Sequence, residues 1–170
     1  MVLLGTYERS LDDKLRLALP KRLRELLGAE TELVITPGTD GSLALFAPAA
    51  FAALAERLAS RSPVGQDVRA FSRLLYAQSH SVEIDTQGRI RLPLELARQA
   101  ELAGDVVLLG VGDHMEIWNK SRWEAYFAHL SPRYDQLAES ALCDPAPRGA
   151  GDAAAPSVAA APDRGPLPPR

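Results

Sequence analysis

The chain contains one sequence pattern twice, and this internal repeat restricts the possible folds more than any other feature. Residues 10–20 read Ser-Leu-Asp-Asp-Lys-Leu-Arg-Leu-Ala-Leu-Pro, and residues 83–93 read Glu-Ile-Asp-Thr-Gln-Gly-Arg-Ile-Arg-Leu-Pro. At a constant offset of 73 residues, both segments have an Asp, an Arg four residues later and a Pro four residues after that. Apolar positions also coincide downstream, with one single-residue gap. Such self-similarity indicates a duplicated supersecondary unit.

Each repeat predicts two short β-strands around the Asp. The first strands are expected near 6–11 and 81–84. In the strand after the turn, apolar side chains alternate with others: Leu17 and Leu19 with Arg16 and Ala18, and Ile90 and Leu92 with Arg89 and Arg91. Because successive side chains of a strand point to opposite faces, the apolar residues should be buried and the arginines should face outwards.

Helices and hairpins should follow in each repeat. Pro20 and Pro93 suit a first helical turn, where a missing N–H costs nothing, so helices are expected at Pro20–Leu27 and Pro93–Ala103. Gly28 and Gly104 suit the left-handed position after a helix. The hairpins should pair 32–36 with 42–46 and 105–109 with 114–118, and their turns are rich in turn-forming residues.

Further apolar positions predict helices that complete the fold. The helix after the first hairpin should bury Phe51, Leu54 and Leu58. The helix after the second hairpin should bury Trp123, Tyr126, Phe127 and Leu130. Val68, Phe71, Leu74 and Leu75 share one face of a helix expected over 66–79, and a last helix should run from Ser131-Pro132 to about Leu142. The prediction is an α+β chain with five parts: 5–47 and 81–124 as repeats, 48–80 as connecting helices, 125–143 as a helical segment and 144–170 as a tail.

The tail differs from the rest of the chain in composition. Residues 144–170 contain 7 Pro, 8 Ala and 3 Gly in 27 positions, without apolar periodicity. Prolines remove backbone donors, and the segment offers too little apolar surface to offset the entropy of ordering. We therefore expect this segment to be disordered.

Charge and composition exclude several classes of protein. The formal charge of -3 excludes a uniformly basic, histone-like binder, although residues 1–27 carry 6 basic and 4 acidic side chains. The single Cys143 excludes an intramolecular disulfide and a cysteine-based zinc site. The chain has no run of about 18 apolar residues and no signal-like start, so we expect a cytoplasmic protein without a membrane partner.

The two Asp/Arg segments resemble the MraZ family of bacterial transcriptional regulators, whose domains belong to the AbrB-like group (SpoVT-AbrB type). The resemblance is carried by residues 4–14, by Arg16 to Pro20, by residues 83–93 and by residues 115–119. It covers about residues 1 to 142. It implies two swapped-hairpin halves in one unit, assembly into a ring-shaped homo-oligomer, and binding of direct repeats in double-stranded DNA. In that family the DNA lies upstream of a division and cell-wall gene cluster that includes the regulator's own gene, so the protein should associate with the nucleoid.

The resemblance also assigns candidate residues. The family's DNA-facing basic positions correspond to Lys14, Arg16 and Arg89. Arg91 lies on the same strand face as Arg89 and is an auxiliary candidate, while Arg9 and Lys21 flank the first motif. Arginine binds phosphate or guanine through paired N–H donors, and a β-ribbon is narrow enough for the major groove.

The Asp/Arg pairs also have a purely structural interpretation, which the sequence leaves open beside DNA binding. Asp12 and Asp85 lie four residues before their arginines, so each could simply fix its turn by binding Arg or backbone amides. Gly88 precedes Arg89, but Leu15 occupies the corresponding position in the first repeat. If that position requires a positive φ, leucine costs on the order of 1–2 kcal/mol. Either the first turn has another geometry, or it tolerates the strain.

Other chemistry is weakly supported by the sequence. His80, His114 and His129 lack metal-ligand spacing, and Asp113, His114 and Glu116 suit a hairpin turn better than a metal site. Gly110 to Asp113 lacks the Gly-Lys-Ser/Thr of a phosphate loop. Trp118 and Trp123 correspond to Phe46 and Phe51, which favours core packing over base stacking. We expect no cofactor and no enzyme activity; the alternative to a DNA-binding regulator is an AbrB-like protein-interaction scaffold or antitoxin-type module.

Overall fold

The structure is a computed structural model that describes residues 2–60 and 65–142. The tail predicted for 144–170 lies outside the described residues, and the five-part division of the chain stays a prediction. The described elements are β1 (Leu3–Ser10), β2 (Arg16–Ala18), α1 (Lys21–Leu27), β3 (Glu32–Pro37), β4 (Leu43–Phe46), α2 (Pro48–Ala59), α3 (Gln66–Ala77), β5 (His80–Glu83), β6 (Arg89–Arg91), α4 (Leu94–Gln99), β7 (Asp105–Gly112), β8 (His114–Asn119), α5 (Lys120–Leu130), a 3-10 helix (Ser131–Arg133) and α6 (Tyr134–Leu142).

The chain divides into two compact units. The first extends to Pro132 and contains both sheets; the second begins at Arg133 and includes α6. Within α6, Tyr134, Leu137 and Leu142 are exposed.

The two repeats exchange strands. Six strands form an antiparallel sheet in the order β1-β7-β8-β4-β3-β5, and β2 pairs with β6 in a separate two-stranded sheet. β1 of the first repeat pairs with β7 of the second along its whole length, and β5 of the second repeat pairs with β3 of the first. Each repeat therefore adds its first strand to the other repeat's hairpin, which confirms the predicted swapped-hairpin α+β fold.

The core lies between the sheets and the short helices α1 and α4. Leu17 and Ile90 face each other across β2 and β6 and are fully buried, as the alternating pattern predicts. Leu23 of α1 and Leu96 of α4 belong to the same cluster. Burial of a leucine side chain contributes about 1.5–3 kcal/mol, so one shared core stabilises both repeats together.

The helix boundaries differ from the prediction at the start of both helices and at the end of α4. Pro20 and Pro93 each precede the first helical residue, with ψ of 137° and 132°. Gly28 follows α1 with a φ of 67°, as expected. α4, however, ends at Gln99 rather than Ala103, because Glu101 adopts a left-handed φ of 53° and the Leu102 amide donates to the Ala97 carbonyl at 2.8 Å.

The aromatic residues after the hairpins divide into buried and exposed sets. Trp118 is buried and packs against Trp123 and Tyr126, which confirms the predicted packing role of both tryptophans. The prediction that Phe127 is buried is wrong, because 56% of it is exposed. The apolar face of α3 is also open: Phe71 and Leu74 are 50% and 61% exposed.

A charged group lies at the tip of the β7–β8 hairpin. The His114 ring stacks on Phe46 with 4.8 Å between centroids, and it lies between two carboxylates. Glu116 Oε1 is 3.7 Å from Nε2, and Asp113 Oδ1 is 2.7 Å from Nδ1. Interaction with Glu116 and with Asp113 raises the pKa of His114 against the opposing effect of burial. Arg57 of α2 also pairs with Asp113, at 3.3 Å.

This arrangement predicts a pH-dependent contribution to stability. Because the folded protein raises the pKa of His114, protonation stabilises the fold fully below about pH 6.5, and the contribution is lost as the pH rises through the folded-state pKa. The lowered pKa values of Asp113 and Glu116 keep both carboxylates charged across that range. In urea unfolding, the stability difference between wild type and His114→Gln should be on the order of 1 kcal/mol at pH 5.5 and shrink by pH 8.5. Exposed His129→Gln is the control, and a difference for His114→Gln that is constant with pH would contradict the prediction.

Candidate nucleic-acid interface

The short sheet formed by β2 and β6 presents three arginines on one face. Its register pairs Arg16 with Arg91, Leu17 with Ile90 and Ala18 with Arg89. Since Leu17 and Ile90 point into the core, the other four side chains point outwards. We call Arg16–Ala18 with Arg89–Arg91 the arginine ribbon. Directly opposite residues of an antiparallel pair have Cβ atoms about 4.5–5.5 Å apart, so the ribbon concentrates positive charge in a small area.

The turn of the first Asp/Arg motif, residues 12–16, is called the first motif turn, and residues 85–89 form the second. A carboxylate fixes the first motif turn by accepting three hydrogen bonds. Asp12 Oδ1 accepts the backbone N–H groups of Lys14 and Arg16, both at 2.9 Å. Its Oδ2 accepts the Nε–H of Arg16 at 2.6 Å. The Leu15 amide also donates to the Asp12 carbonyl at 2.9 Å. The predicted pairing of Asp12 with Arg16 and with backbone amides is therefore present in the structure.

The second motif turn repeats this geometry. Asp85 Oδ1 accepts the N–H groups of Gln87 and Arg89 at 2.9 Å, and Oδ2 accepts the Nε–H of Arg89 at 2.8 Å. The Gly88 amide donates to the Asp85 carbonyl at 2.8 Å. The two turns are thus built in the same way from different sequences.

These hydrogen bonds keep both aspartates ionised. The Arg16 N–H, together with the Arg16 side chain and the Lys14 N–H, lowers the pKa of Asp12. The Arg89 N–H and the Arg89 guanidinium lower the pKa of Asp85 in the same way. A guanidinium carries five N–H donors. Asp12 Oδ2 binds the Nε of Arg16, whereas Asp85 Oδ2 lies 2.8 Å from both Nε and Nη2 of Arg89. Each arginine can therefore fix its turn and still present N–H donors to a ligand: both Nη groups of Arg16, and Nη1 with the outer N–H of Nη2 of Arg89.

The turn geometry decides between the two alternatives for Leu15. Leu15 has a φ of 57° and Gly88 a φ of 72°, so both turns use the left-handed region. Leucine in this region costs about 1–2 kcal/mol. The half-buried Leu15 side chain packs against the main core, which offsets part of that cost. The first turn therefore keeps the common geometry and tolerates the strain.

The other candidate residues divide between the ribbon with its first turn and the neighbouring elements. Lys14 is exposed at the first turn, and Arg91 is exposed opposite Arg16. Arg9 instead lies on β1 of the six-stranded sheet, where Nη1 donates to the Glu8 carbonyl at 2.7 Å. Lys21 begins α1 and pairs with Glu25 at 3.7 Å. The structure brings Lys14, Arg16, Arg89 and Arg91 onto the ribbon and its first turn, and it places Arg9 and Lys21 on neighbouring elements.

An open groove of about 680 Å³ borders the ribbon. Its lining includes the three ribbon arginines, the β5 strand and Leu94. One basic residue near this surface was not predicted: the Arg24 guanidinium, from α1, lies against Gly88. The contact joins distant parts of the chain, so the local sequence carries no signal for it beyond the basic character of residues 1–27.

Across 2–60 and 65–142, the structure has no group of three or more His, Cys, Asp or Glu residues that could hold a metal ion. In those ranges no helix is long and apolar enough to span a membrane. Gly112 and Asp113 form the turn between β7 and β8, which confirms a hairpin rather than a phosphate loop.

Comparison with known proteins is decisive about the family. A family model described as "MraZ protein, putative antitoxin-like" matches residues 2–74 and again residues 75–142. The chain belongs to the MraZ family. The two matches correspond to the two repeats that exchange strands, so the structural duplication and the family pattern agree.

Several MraZ relatives are similar over most of the chain. Transcriptional regulator MraZ of Moorella thermoacetica is 40% identical over 136 residues, which cover 80% of this chain and 94% of that protein. The protein of the same name from Nocardia farcinica is 42% identical over 139 residues, with 82% and 96% covered. That from Heliobacterium modesticaldum is 37% identical over 139 residues, again with 82% and 96% covered.

The shared turn geometry predicts that amide and methyl substitutions of the aspartates differ. In Asp12→Asn and Asp85→Asn, the side-chain oxygen can still accept the two backbone N–H groups, but the amide nitrogen cannot accept from arginine Nε. We expect the melting temperatures of the Asn variants to stay close to that of wild type and those of the Ala variants to fall further. Thermal unfolding followed by circular dichroism measures this, with exposed Asp13→Ala as the control. Equal melting temperatures for Asn and Ala variants would contradict the assigned role of the carboxylates.

Proposed function

We propose that the protein is a sequence-specific DNA-binding transcriptional regulator that contacts double-stranded DNA through the arginine ribbon and Lys14. The observation that carries this proposal is the placement of Arg16, Arg89 and Arg91 on one exposed face of a two-stranded sheet. The relatives are named transcriptional regulators, which supports the same function.

The chemistry of the ribbon suits DNA. Asp12 holds the Nε of Arg16, and Asp85 holds the Nε and Nη2 of Arg89, which limits the orientations of both guanidiniums. The Nη donors can bind a phosphate, or guanine O6 and N7 in the major groove, through paired hydrogen bonds. A two-stranded ribbon fits a major groove about 12 Å wide. Lys14 supplies a point charge for phosphate, and Arg9 and Lys21 are proposed as flanking contacts to the DNA backbone.

Several protomers should act together. One ribbon offers few contacts, so useful affinity requires several ribbons on several DNA repeats. We propose a ring-shaped homo-oligomer on direct repeats spaced near one helical turn, about 10 base pairs. The proposed target lies upstream of a division and cell-wall gene cluster that includes the protein's own gene. This function needs no cofactor or catalysis, and it places the protein in the cytoplasm, at the nucleoid.

A protein-interaction scaffold or antitoxin-type module is the second candidate function. The "antitoxin-like" wording of the family description favours it. Gene context distinguishes the two: an adjacent toxin gene favours the scaffold, and adjacent cell-wall genes favour the regulator.

The first test of the proposed function removes the ribbon arginines. We expect Arg16→Ala and Arg89→Ala each to weaken binding to the duplex upstream of the protein's own gene about 10–100-fold, because each removes paired donors at the DNA surface. Electrophoretic retardation at fixed salt measures the change. Arg22→Ala, which removes the same charge from an exposed position of α1, is the control. Unchanged retardation by the double Arg16/Arg89 variant would overturn the proposal.

The second test concerns self-association. The exposed Phe71 and Leu74 give α3 an apolar face of the kind that marks protein contacts. Light scattering should find a particle of several chains for wild type and a smaller particle for Leu74→Glu, because a charge on that face opposes burial. Exposed Ala53→Glu on α2 adds the same charge and should leave the mass unchanged. A wild-type particle of one chain at all concentrations, or a Leu74→Glu particle of wild-type mass, would contradict this arrangement.

A further inference from the structure

The two motif turns are unequal because Arg24 lies on only one of them. A Cβ placed on Gly88 would come within 2.5 Å of the Arg24 Cζ and 2.7 Å of its Cδ, so the side chain of Arg24 occupies the space that Gly88 leaves open. At the repeat offset, Arg24 corresponds to Ala97 and Gly88 corresponds to Leu15. The first turn therefore has its own leucine side chain and a buried alanine in place of this contact.

The charge of Arg24 has no partner within the described part of the chain. Its Nε is buried without a hydrogen-bond partner. The Asp85 carboxylate of the same turn accepts the N–H groups of Gln87 and Arg89 and forms its ion pair with Arg89 rather than with Arg24. A buried donor without an acceptor is costly, so each such group in a native structure calls for an explanation. The buried Nε is out of reach of an external ligand, but the Nη groups of the same guanidinium also have no partner among the described residues and can bind one.

The distribution of cations between the turns indicates what that ligand is. The first turn carries Lys14 at its tip, whereas the second has the uncharged Gln87 at the same position. Arg24 lies over Gly88, directly before Arg89 in the chain, and adds an unpaired positive charge to a turn that has no lysine at its tip. An anion with several acceptor oxygens, such as a DNA phosphate, matches an unpaired guanidinium.

We propose that Arg24 is a phosphate-binding residue of the second motif turn, and that the two turns bind the DNA backbone through different residues. The first turn uses Lys14 beside Arg16, and the second uses Arg24 beside Arg89. This inference depends on the proposed DNA-binding function. The competing explanation is that Arg24 only fills the space above Gly88 and supports the turn by packing.

Charge and packing can be separated by substitution in the full chain. Arg24→Met keeps an unbranched stem over Gly88 but removes the charge, and Arg24→Lys keeps the charge. Arg22→Met removes the same charge from an exposed position of α1 and is the matched control. The probe is the duplex upstream of the protein's own gene, with affinity measured from about 50 to 200 mM salt, the range over which phosphate contacts are lost. Melting temperatures are measured for every variant.

The salt dependence gives the expected result. Arg24→Met should reduce the slope of log K against log salt by about 0.9 for each bound protomer, while Arg24→Lys and Arg22→Met retain the wild-type slope. A slope for Arg24→Met equal to that of wild type would overturn the inference, whatever its melting temperature. A reduced slope in both Arg24→Met and Arg24→Lys, together with lowered melting temperatures, would also overturn it and identify a packing role.

The ribbon variants distinguish this failure from that of the proposed function. If Arg24→Met binds like wild type while Arg89→Ala does not, only the role of Arg24 is wrong. If Arg16→Ala and Arg89→Ala also bind like wild type, the proposed function itself fails. Ethylation interference supplies an independent readout: Arg24→Met should lose phosphate contacts at one side of each binding repeat, and an unchanged pattern would overturn the inference.

Discussion

Strand exchange between the repeats is the constraint on which the rest of the structure depends. β1 finds its partner in β7, β5 in β3, and β2 in β6, so each of these three pairings joins one repeat to the other. The three-residue strands of the ribbon are too short to be stable alone. Leu17 and Ile90 bury one face of the ribbon in a core built by both repeats, and the opposite face consequently presents the arginines. The candidate interface therefore exists only when both repeats are folded together.

The carboxylates connect this architecture to chemistry. Asp12 and Asp85 each accept two backbone N–H groups, which fixes the turn, and one arginine Nε–H, which orients the guanidinium. An Asp/Arg pair can therefore fix its turn and leave the arginine able to bind a ligand. The carboxylate lowers the net charge of the motif, but it limits the freedom that an exposed arginine would otherwise lose on binding a ligand. A fixed orientation favours a specific partner over a merely anionic one.

Local patterns predicted much of this, and long-range contacts did not follow from them. The alternation around Leu17 and Ile90 gave the buried and exposed faces, and the offset between Leu15 and Gly88 raised the question of a positive φ that both residues have. The sequence carried no signal that α4 ends early, because the left-handed residue is Glu101 rather than a glycine. It also could not show that Phe71 and Phe127 remain exposed, since periodicity identifies an apolar face but not what covers it. The packing of Arg24 on Gly88 depends on strand exchange, which joins residues far apart in the chain.

The unequal turns give the molecule a direction. Two identical one-repeat chains related by a two-fold axis would present identical halves, and such dimers match palindromic sites. Here one chain supplies both halves, and they differ at Leu15 and Gly88, at Lys14 and Gln87, and at Arg24 and Ala97. A surface with two different ends distinguishes one orientation of a double helix from the other. Because both halves belong to one chain, they can differ in sequence, which two identical chains cannot. A unit with two different ends suits a head-to-tail series of identical, non-palindromic sequence elements.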